Sequence, residues 1–479
     1  MSFLVYDLIF LALFIGFVSL FLYKNKKNIR RDGILLLYKT EWGIKLIHKV
    51  GKKYKKTINF LSYISIACGY FLMAIAVYMF GKIIYIYVAL PGIVKQVKVP
   101  PIMPLIPYLP QAFKLDFLPE FNFTYWIVIL AIIAITHEFA HGIVAAKDNI
   151  RIKKTGFGFF PWFLPVFLAA FVEPDEKQME KKSKFSQMAV LSAGTFVNLL
   201  TGVFFLIIMI IFFSLMFTPA GVVFDTYSTS LINTSSIIGV GGVAIDNLYY
   251  DNLTSLTEDS NKTRIVTGGG EYLISQRLLD MPQNKELFDK GILLVYDDAP
   301  AIRSDIKGAI SKINQEKISS LEELSEELGK YSPGENISVE TRTKQETFEY
   351  DITLEKNPRD NSSWLGIGFL DKSRGGIIGS LMDSISSFKK PEIFYEPKIN
   401  GFSLFIYNLL WWLVLISFSV AIVNMIPVGI FDGGRFFYLT IWGITKKQKI
   451  AEKSFKIITQ LFLFLLLVLM FYWIVGILG

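Results

Sequence analysis

An apolar run from Tyr125 to Ala146 reads YWIVILAIIAITHEFAHGIVAA. It has the length of a bilayer-spanning helix, roughly 20 residues. A segment in lipid has no water to satisfy its backbone polar groups, so a helix is the form open to it. Set inside the run, with no compensating charge, are His137, Glu138 and His141. Ionisable groups at membrane depth are costly to hold, which makes them candidates for function before anything else.

Their spacing says which function. Histidines four residues apart lie on one helix face, one turn from each other. Two imidazoles so placed close on one zinc ion, and a glutamate beside the first is placed to serve as a general base. This is the HExxH pattern of zinc metalloproteases. The competing reading is a structural histidine pair, which in lipid needs partners for its ring nitrogens. Only three histidines occur in the 479 residues, and two fall in this motif.

Composition sets the setting. Hydrophobic residues make up 52% of the chain and the mean hydropathy is +0.44, values of a multi-pass membrane protein whose partner is the lipid bilayer. The single cysteine, Cys68, excludes a disulfide framework within the chain and a cysteine-built zinc site. A net charge of +8 would suit nucleic acid. However, much of the Lys and Arg lies in short loops beside apolar runs, where it orients a membrane protein, and no nucleic-acid-binding signature accompanies it.

Taken in order, the expected architecture is an α-helical polytopic membrane protein of about six spans with an inserted soluble α+β domain. Residues 1–120 hold two spans, 3–23 and about 60–88, joined by a Lys- and Arg-rich loop (24–56) that the positive-inside rule places in the cytoplasm. The Pro-rich stretch 91–119 reads as an outer connector, or as a cap over the site. Residues 121–217 hold the motif helix, a hairpin and a fourth span. Pro161 and Pro165 spoil Thr155–Val172 as a span, and Gly156 and Gly158 frame a strand-like stretch. It is either an interfacial hairpin or a re-entrant one whose open edge holds an extended peptide by main-chain hydrogen bonds. In the fourth span Gly194 and Asn198 share a helix face; Asn198 reads as packing glue or as a substrate contact.

Residues 219–390 break the pattern, with Ser, Thr, Asn, Asp and Glu replacing the apolar runs. Counting spans puts this domain outside the cytoplasm. Within it, residues 289–356 are similar to a PDZ domain in their order: a strand at Ile310–Asn314, a helix at Ser320–Leu328 opened by a Ser320/Glu323 capping box, and a hairpin of Ile337–Arg342 with Thr347–Leu354. Residues 219–288 read as an insertion or as a degenerate second copy. The last part, 401–479, carries an apolar run, then NMIPVGIFDGGRFF from Asn424 to Phe437, and a final span at about 455–478. Pro427 and the glycines break the helix there and leave Asp432 as a second acid at membrane depth.

A catalytic zinc takes three protein ligands and keeps one position open. His137 and His141 supply two, and Asp432 is the strong candidate for the third, because Asp116 and Glu120 fall in the outer loop. Both helices enter from outside, so both ligand sets sit towards their inner, cytoplasmic ends. Asn424 is the candidate to hold a substrate strand or an oxyanion, with a helix-break cap as its other reading.

On these residues the chain resembles the site-2 proteases, intramembrane zinc metalloproteases. The match rests on HEFAH at 137–141, on Asn424, Pro427, Asp432 and Gly433 of an NxxPxxxxDG pattern, on Gly156 and Gly158, on Gly194 and Asn198, and on a PDZ-like domain between the two metal-binding segments. It departs at Gly429, where many members carry a second proline, and at Phe431, where Leu is common. The resemblance implies one Zn2+ per chain and cleavage of transmembrane protein substrates near or within the bilayer, often anchored regulators already trimmed by another protease. Ligand type alone does not separate zinc from cobalt or iron, though zinc is the usual occupant. The rival from another class is a non-catalytic membrane receptor or scaffold that binds peptide and metal. Such a scaffold has no use for Glu138.

Overall fold

The computed structural model describes all residues except 1–2, 33–34, 91–93, 95–99, 116, 160–166, 246–247, 258–261, 344–345, 359, 371–382, 384–385 and 479. Asp116, Pro161 and Pro165 therefore lie outside the described residues, as does part of the Pro-rich stretch. The chain divides into two compact units, Met1–Phe213 with Leu404–Gly479, and Ser214–Ser403.

Six helices of the first unit are long and apolar enough to cross a membrane. They are α1 (Phe3–Lys24), α3 (Lys55–Ala89), α4 (Phe123–Lys147), α5 (Lys184–Met216), α6 (Phe402–Val423) and α8 (Gln448–Leu478). Only 11% of the apolar window of α1 and 6% of that of α8 are buried in protein, against 33% for α4 and for α6. The outer helices thus turn their Leu, Phe and Ile towards the surrounding lipid, while α4 and α6 form the interior. No residue of α4 is fully exposed, and its buried residues recur from Phe123 to Lys147. Phe123, Trp126, Ile129 and Ile133 join Trp412, Leu413 and Ile416 of α6 in one cluster. Ala140, Val144 and Ala145 join Ala189, Leu191, Met425 and Phe436 in another.

Residues 24–56 do more than link two spans. They form β1 (Ile29–Asp32), β2 (Leu35–Thr40) and the helix α2 (Ile44–Lys53), which carries His48. The two strands continue into the hairpin of β3 (Ile152–Phe159) and β4 (Phe167–Pro174), giving one antiparallel sheet in the order β1-β2-β3-β4. The pattern of basic charge concealed this, because LLLYKT is a short strand that becomes stable only when paired.

The fold around Asp432 follows from its glycines. Helix α6 stops at Val423, and α7 (Asp432–Thr445) starts eight residues after Asn424. A Cβ on Gly433 would stand 2.4 Å from the Met425 carbonyl carbon, so only glycine lets α7 begin this close to the end of α6. Gly433 N–H donates to the Asn424 carbonyl at 2.7 Å and ties the break together.

The inserted unit holds two larger sheets. One runs Thr229–Asn233, Ile292–Asp297, Gly270–Ile274, Thr263–Thr267, Ile237–Val240, Val243–Ala244. The other runs Thr347–Thr353, Asn336–Arg342, Ala309–Ile313, Phe217–Val223, Ile393–Pro397, with Glu316–Lys317 paired to Ala309–Ile313. The strand, helix and hairpin expected in the PDZ-like stretch are present, the helix spanning Leu321–Leu328. Its cap differs in one detail. Ser320 Oγ accepts from Glu323 N–H at 3.1 Å, but the Glu323 carboxylate reaches back to Ser319 N–H at 2.8 Å.

The domain boundary also differs. Ile292–Asp297 belongs to the first sheet, and the second is completed by strands from 217–223 and 393–397. Residues 237–274 repeat the arrangement of 309–353: strand, tight turn, two-residue strand, eight-residue helix (Tyr250–Thr257 and Leu321–Leu328), then a hairpin whose first strand pairs with the opening strand. The two stretches thus share one order of elements and one strand pairing.

Candidate metal centre

Helix α4 presents His137 and His141 on one face, as their four-residue spacing requires. The N-terminus of α7 brings Asp432 to them. Asp432 Oδ2 lies 3.3 Å from Nε2 of each histidine, and the two Nε2 atoms are 3.0 Å apart. Ligands bonded to tetrahedral zinc at about 2.0–2.1 Å stand roughly 3.3 Å from one another. The three atoms have the spacing of three corners of such a site. Among the described residues they form one group, all within 4.8 Å.

The atoms behind them fit a metal as well. A histidine that ligates through Nε2 must carry its proton on Nδ1 and give it to an acceptor. His141 Nδ1 is 2.6 Å from the carbonyl of Val190, an acceptor that fixes this tautomer. His137 Nδ1 is 2.9 Å from the Asn198 amide, whose buried Oδ1 has no hydrogen-bond partner. A half-turn of that amide sets Oδ1 against an Nδ1–H and removes the orphan. Asn198 is fully buried on α5. It is thus a bracket for His137, a third role beyond the packing and substrate readings. Gly194, one turn earlier, explains the GxxxN spacing: a Cβ there would stand 2.4 Å from His141 Nε2 and 2.6 Å from His137 Nε2. The ligand space exists because that side chain is missing.

Glu138 points elsewhere. Its Oε2 accepts from Val172 N–H at 2.9 Å, an outward main-chain donor of β4. Strand β4 is the outer strand of its sheet, whereas β3 is paired on both sides, Gly156 with Lys39 and Phe171, and Gly158 with Leu37 and Ala169. The reading of Gly156 and Gly158 as main-chain contacts for a substrate strand is therefore corrected, while the hairpin's open edge lies on β4. Their main chain is already engaged, and a Cβ on Gly156 would stand 2.0 Å from the Tyr38 carbonyl oxygen. Gly156 lets β2 and β3 approach; the free edge passes to β4. Asn424 sits at the end of α6, and its main chain braces the break before Asp432.

One buried acid escaped the sequence reading. Asp7, on α1, accepts from Phe123 N–H (2.8 Å), Thr124 N–H (2.9 Å) and the hydroxyls of Thr124 and Tyr108. It caps the N-terminus of the motif helix from a neighbouring helix, where the Asn122 side chain makes no capping bond. The signal was available, since an acid inside an apolar run asks for a partner. The partner lay 116 residues away.

A family model, Peptidase family M50, matches residues 125–469, well over half of the chain. The chain belongs to this family. Six helices long and apolar enough to cross a membrane agree with a multi-pass member of the site-2-protease family, and zinc is the metal the family implies. "Zinc metalloprotease RasP" of Shouchella clausii (strain KSM-K16) is 23% identical to this M50 peptidase over 190 residues, 34% of this chain. The match spans 45% of that relative's length. The crystal structure of the PDZ domain of an SdrC-like protein from Listeria monocytogenes aligns with 16% of the M50 peptidase and 80% of its own chain, at 22% identity and a TM-score of 0.14. So slight an overlap carries no argument, and the inserted unit is defined by its own strands.

Proposed function

We propose that this M50 peptidase is an intramembrane protease that hydrolyses peptide bonds of transmembrane proteins, with one zinc per chain held by His137, His141 and Asp432. The observation that supports it best is the meeting of those three side chains, from two helices far apart in sequence, with Glu138 next to His137 in the chain. Zinc, when bound, polarises a carbonyl and acidifies water at the same centre. Glu138 takes the proton of the attacking water and returns it to the leaving amine. A receptor would need neither that carboxylate nor an open ligand position.

A helical peptide bond is shielded by its own hydrogen bonds, so a transmembrane substrate has to unwind locally. The free edge of β4, next to Glu138, offers main-chain groups to an extended strand. Asn424 is a second candidate contact for that strand. The inserted unit, placed outside the cytoplasm by the count of spans, filters substrates that another protease has trimmed. The site lies in the cytoplasmic half of the bilayer.

The test is cleavage of a tagged single-span protein by the full chain in liposomes, with the cut mapped by mass spectrometry. Cuts within the span support the proposal. Cuts confined to water-exposed loops, or none, would overturn it. Deleting 219–390 should widen the range of substrates accepted; unchanged selectivity would make the inserted unit a spacer.

A further inference from the structure

Helix α2 meets the motif helix almost backbone to backbone. Ile47 is fully buried at the contact. A Cβ on Gly51 would stand 2.8 Å from the Ile143 carbonyl oxygen, and one on Gly142 would stand 3.1 Å from Ile47 Cδ1. Gly142 is the residue after His141, so α2 braces the motif helix just beyond the metal site.

The other side of α2 is positive. At 3.6 residues per turn, Lys45, Lys49, Lys52 and Lys53 lie opposite Ile47 and Gly51. All four are exposed, as are Lys55 and Lys56 at the start of α3. No Asp or Glu occurs between Lys45 and Lys56. Among the described residues, none of the six lysines forms an ion pair. The acids on and beside the β1–β4 sheet are already engaged: Glu41 by Lys154 at 2.7 Å, Glu173 by Lys39 at 2.7 Å, and Asp175 by Lys153 at 3.7 Å. The cluster therefore carries its charge uncompensated.

Its position says which anion it meets. Past Lys56 the exposed side chains of α3 become apolar at Phe60, Leu61 and Tyr63. That change marks where α3 enters hydrocarbon, and it sets the lysines at the level of the lipid headgroups. Trp42 and Tyr54 flank the cluster, 61% and 49% exposed. Indole and phenol rings favour the same boundary. Trp42 is fixed there: its carbonyl accepts from Thr155 Oγ1 at 2.7 Å, and its ring meets Phe139 edge-on at 5.7 Å.

We infer that α2 and the first turn of α3 bind the phosphate headgroups of anionic phospholipids, and that lipid held there fixes α2 against the motif helix. The partner is the membrane the protein spans, because its headgroups are the anions at the depth of these lysines. A juxtamembrane cluster of four to eight basic residues suits such a surface, with each lysine worth about fivefold in affinity. The close contacts at Gly51 and Gly142 then carry the restraint from the headgroups to the helix that holds His137 and His141.

The experiment offers phosphatidylglycerol and phosphatidylcholine of equal chain length to the full chain in detergent and counts the copies retained by native mass spectrometry. Wild type should retain phosphatidylglycerol in preference. Changing Lys45, Lys49, Lys52 and Lys53 together to Gln should cut that preference about tenfold or more, whereas changing the same four to Arg should keep it. Lys285, Lys290, Lys317 and Lys356 of the inserted unit are also exposed. Changing those four to Gln removes the same charge and should leave the preference as it was. Phosphatidylglycerol should raise the thermal midpoint of wild type and have little effect on the α2 Gln variant, since a ligand of the folded form stabilises it. An equal preference in wild type and the α2 Gln variant, or an equal loss in the inserted-unit control, would overturn the inference. So would a cluster that binds a DNA oligonucleotide or an acidic peptide ahead of the lipid. A wild-type midpoint indifferent to phosphatidylglycerol would overturn the brace on the motif helix. None of these readouts requires cleavage or zinc, so failure here leaves the protease reading intact.

Discussion

His137 Nδ1 lies 2.9 Å from the side-chain amide of Asn198, a residue 61 positions later on a different helix. The pair links the motif helix to α5 at the ring atom opposite the proposed ligand atom. Such outer partners fix the ring and its proton, and their loss typically costs 10–100-fold in metal affinity. Asn198→Leu should weaken zinc binding by about that factor. Asn198→Asp keeps an acceptor and should bind far more tightly than the leucine variant. Zinc competition with a chelator, run on both, separates a bracket from simple packing; equal affinity would leave only packing.

Gly194 gives a sharper case. Adding a single methyl group there puts carbon within 2.6 Å of both ligand nitrogens. Gly194→Ala should therefore lose zinc and proteolysis together. Gly81, where a Cβ would meet nothing within 4 Å, serves as the control: Gly81→Ala should retain both. Retained zinc in the Gly194 variant would mean that α5 shifts freely away from the histidines.

Asp7 should matter to stability before chemistry. It satisfies two main-chain donors at the start of the motif helix and two hydroxyls. Removing a cap costs roughly 1–2 kcal/mol, and here the orphaned groups are buried. Asp7→Ala should lower the thermal midpoint of the full chain in detergent, and Thr124→Val, which deletes one of the four bonds, should lower it less. An unchanged midpoint for Asp7→Ala would show that other groups satisfy these donors.

In the inserted unit Glu340 offers a pH test. The Lys312 ammonium at 2.6 Å, helped by Ser311 and Arg342, holds its carboxyl down at about 2. A carboxyl whose folded pKa is depressed stabilises the fold fully above its ordinary value near 4.5, and that contribution fades as pH falls towards the folded value. These side chains are partly exposed, so screening limits the effect to about 1 kcal/mol. Amide exchange across Asn336–Arg342 in the intact chain should be faster in Glu340→Gln than in wild type at pH 7. The difference should shrink between pH 5 and pH 2. A difference that held constant over that range would place the effect in packing rather than charge.

Much of this molecule was legible from its sequence because the bilayer leaves few choices. Each run read as a span became a helix, and His137, His141 and Asp432 met at one point. What the sequence did not disclose depends on partners without a local signal. LLLYKT looks like part of a basic loop until it pairs with β3. Gly156 looks free to contact a substrate strand until Tyr38 and Phe171 close on it. Val190 acts through a carbonyl that any residue would supply. The Asn198 and Gly194 pair was visible as a motif, but its task appeared only when α5 was set against α4. The boundary of the PDZ-like stretch was displaced because Ile292–Asp297 pairs with a sheet whose other strands begin 63 positions earlier, at Thr229.

The account turns on Glu138 working as a proton carrier beside a metal held by His137, His141 and Asp432. The most direct measurement is proteolysis by the purified full chain with Glu138→Gln set against wild type, with zinc assayed in both. About one zinc per chain in each, with cleavage by wild type alone, is the expected result. Equal cleavage by the two proteins, or a wild type that carries no zinc, would contradict it.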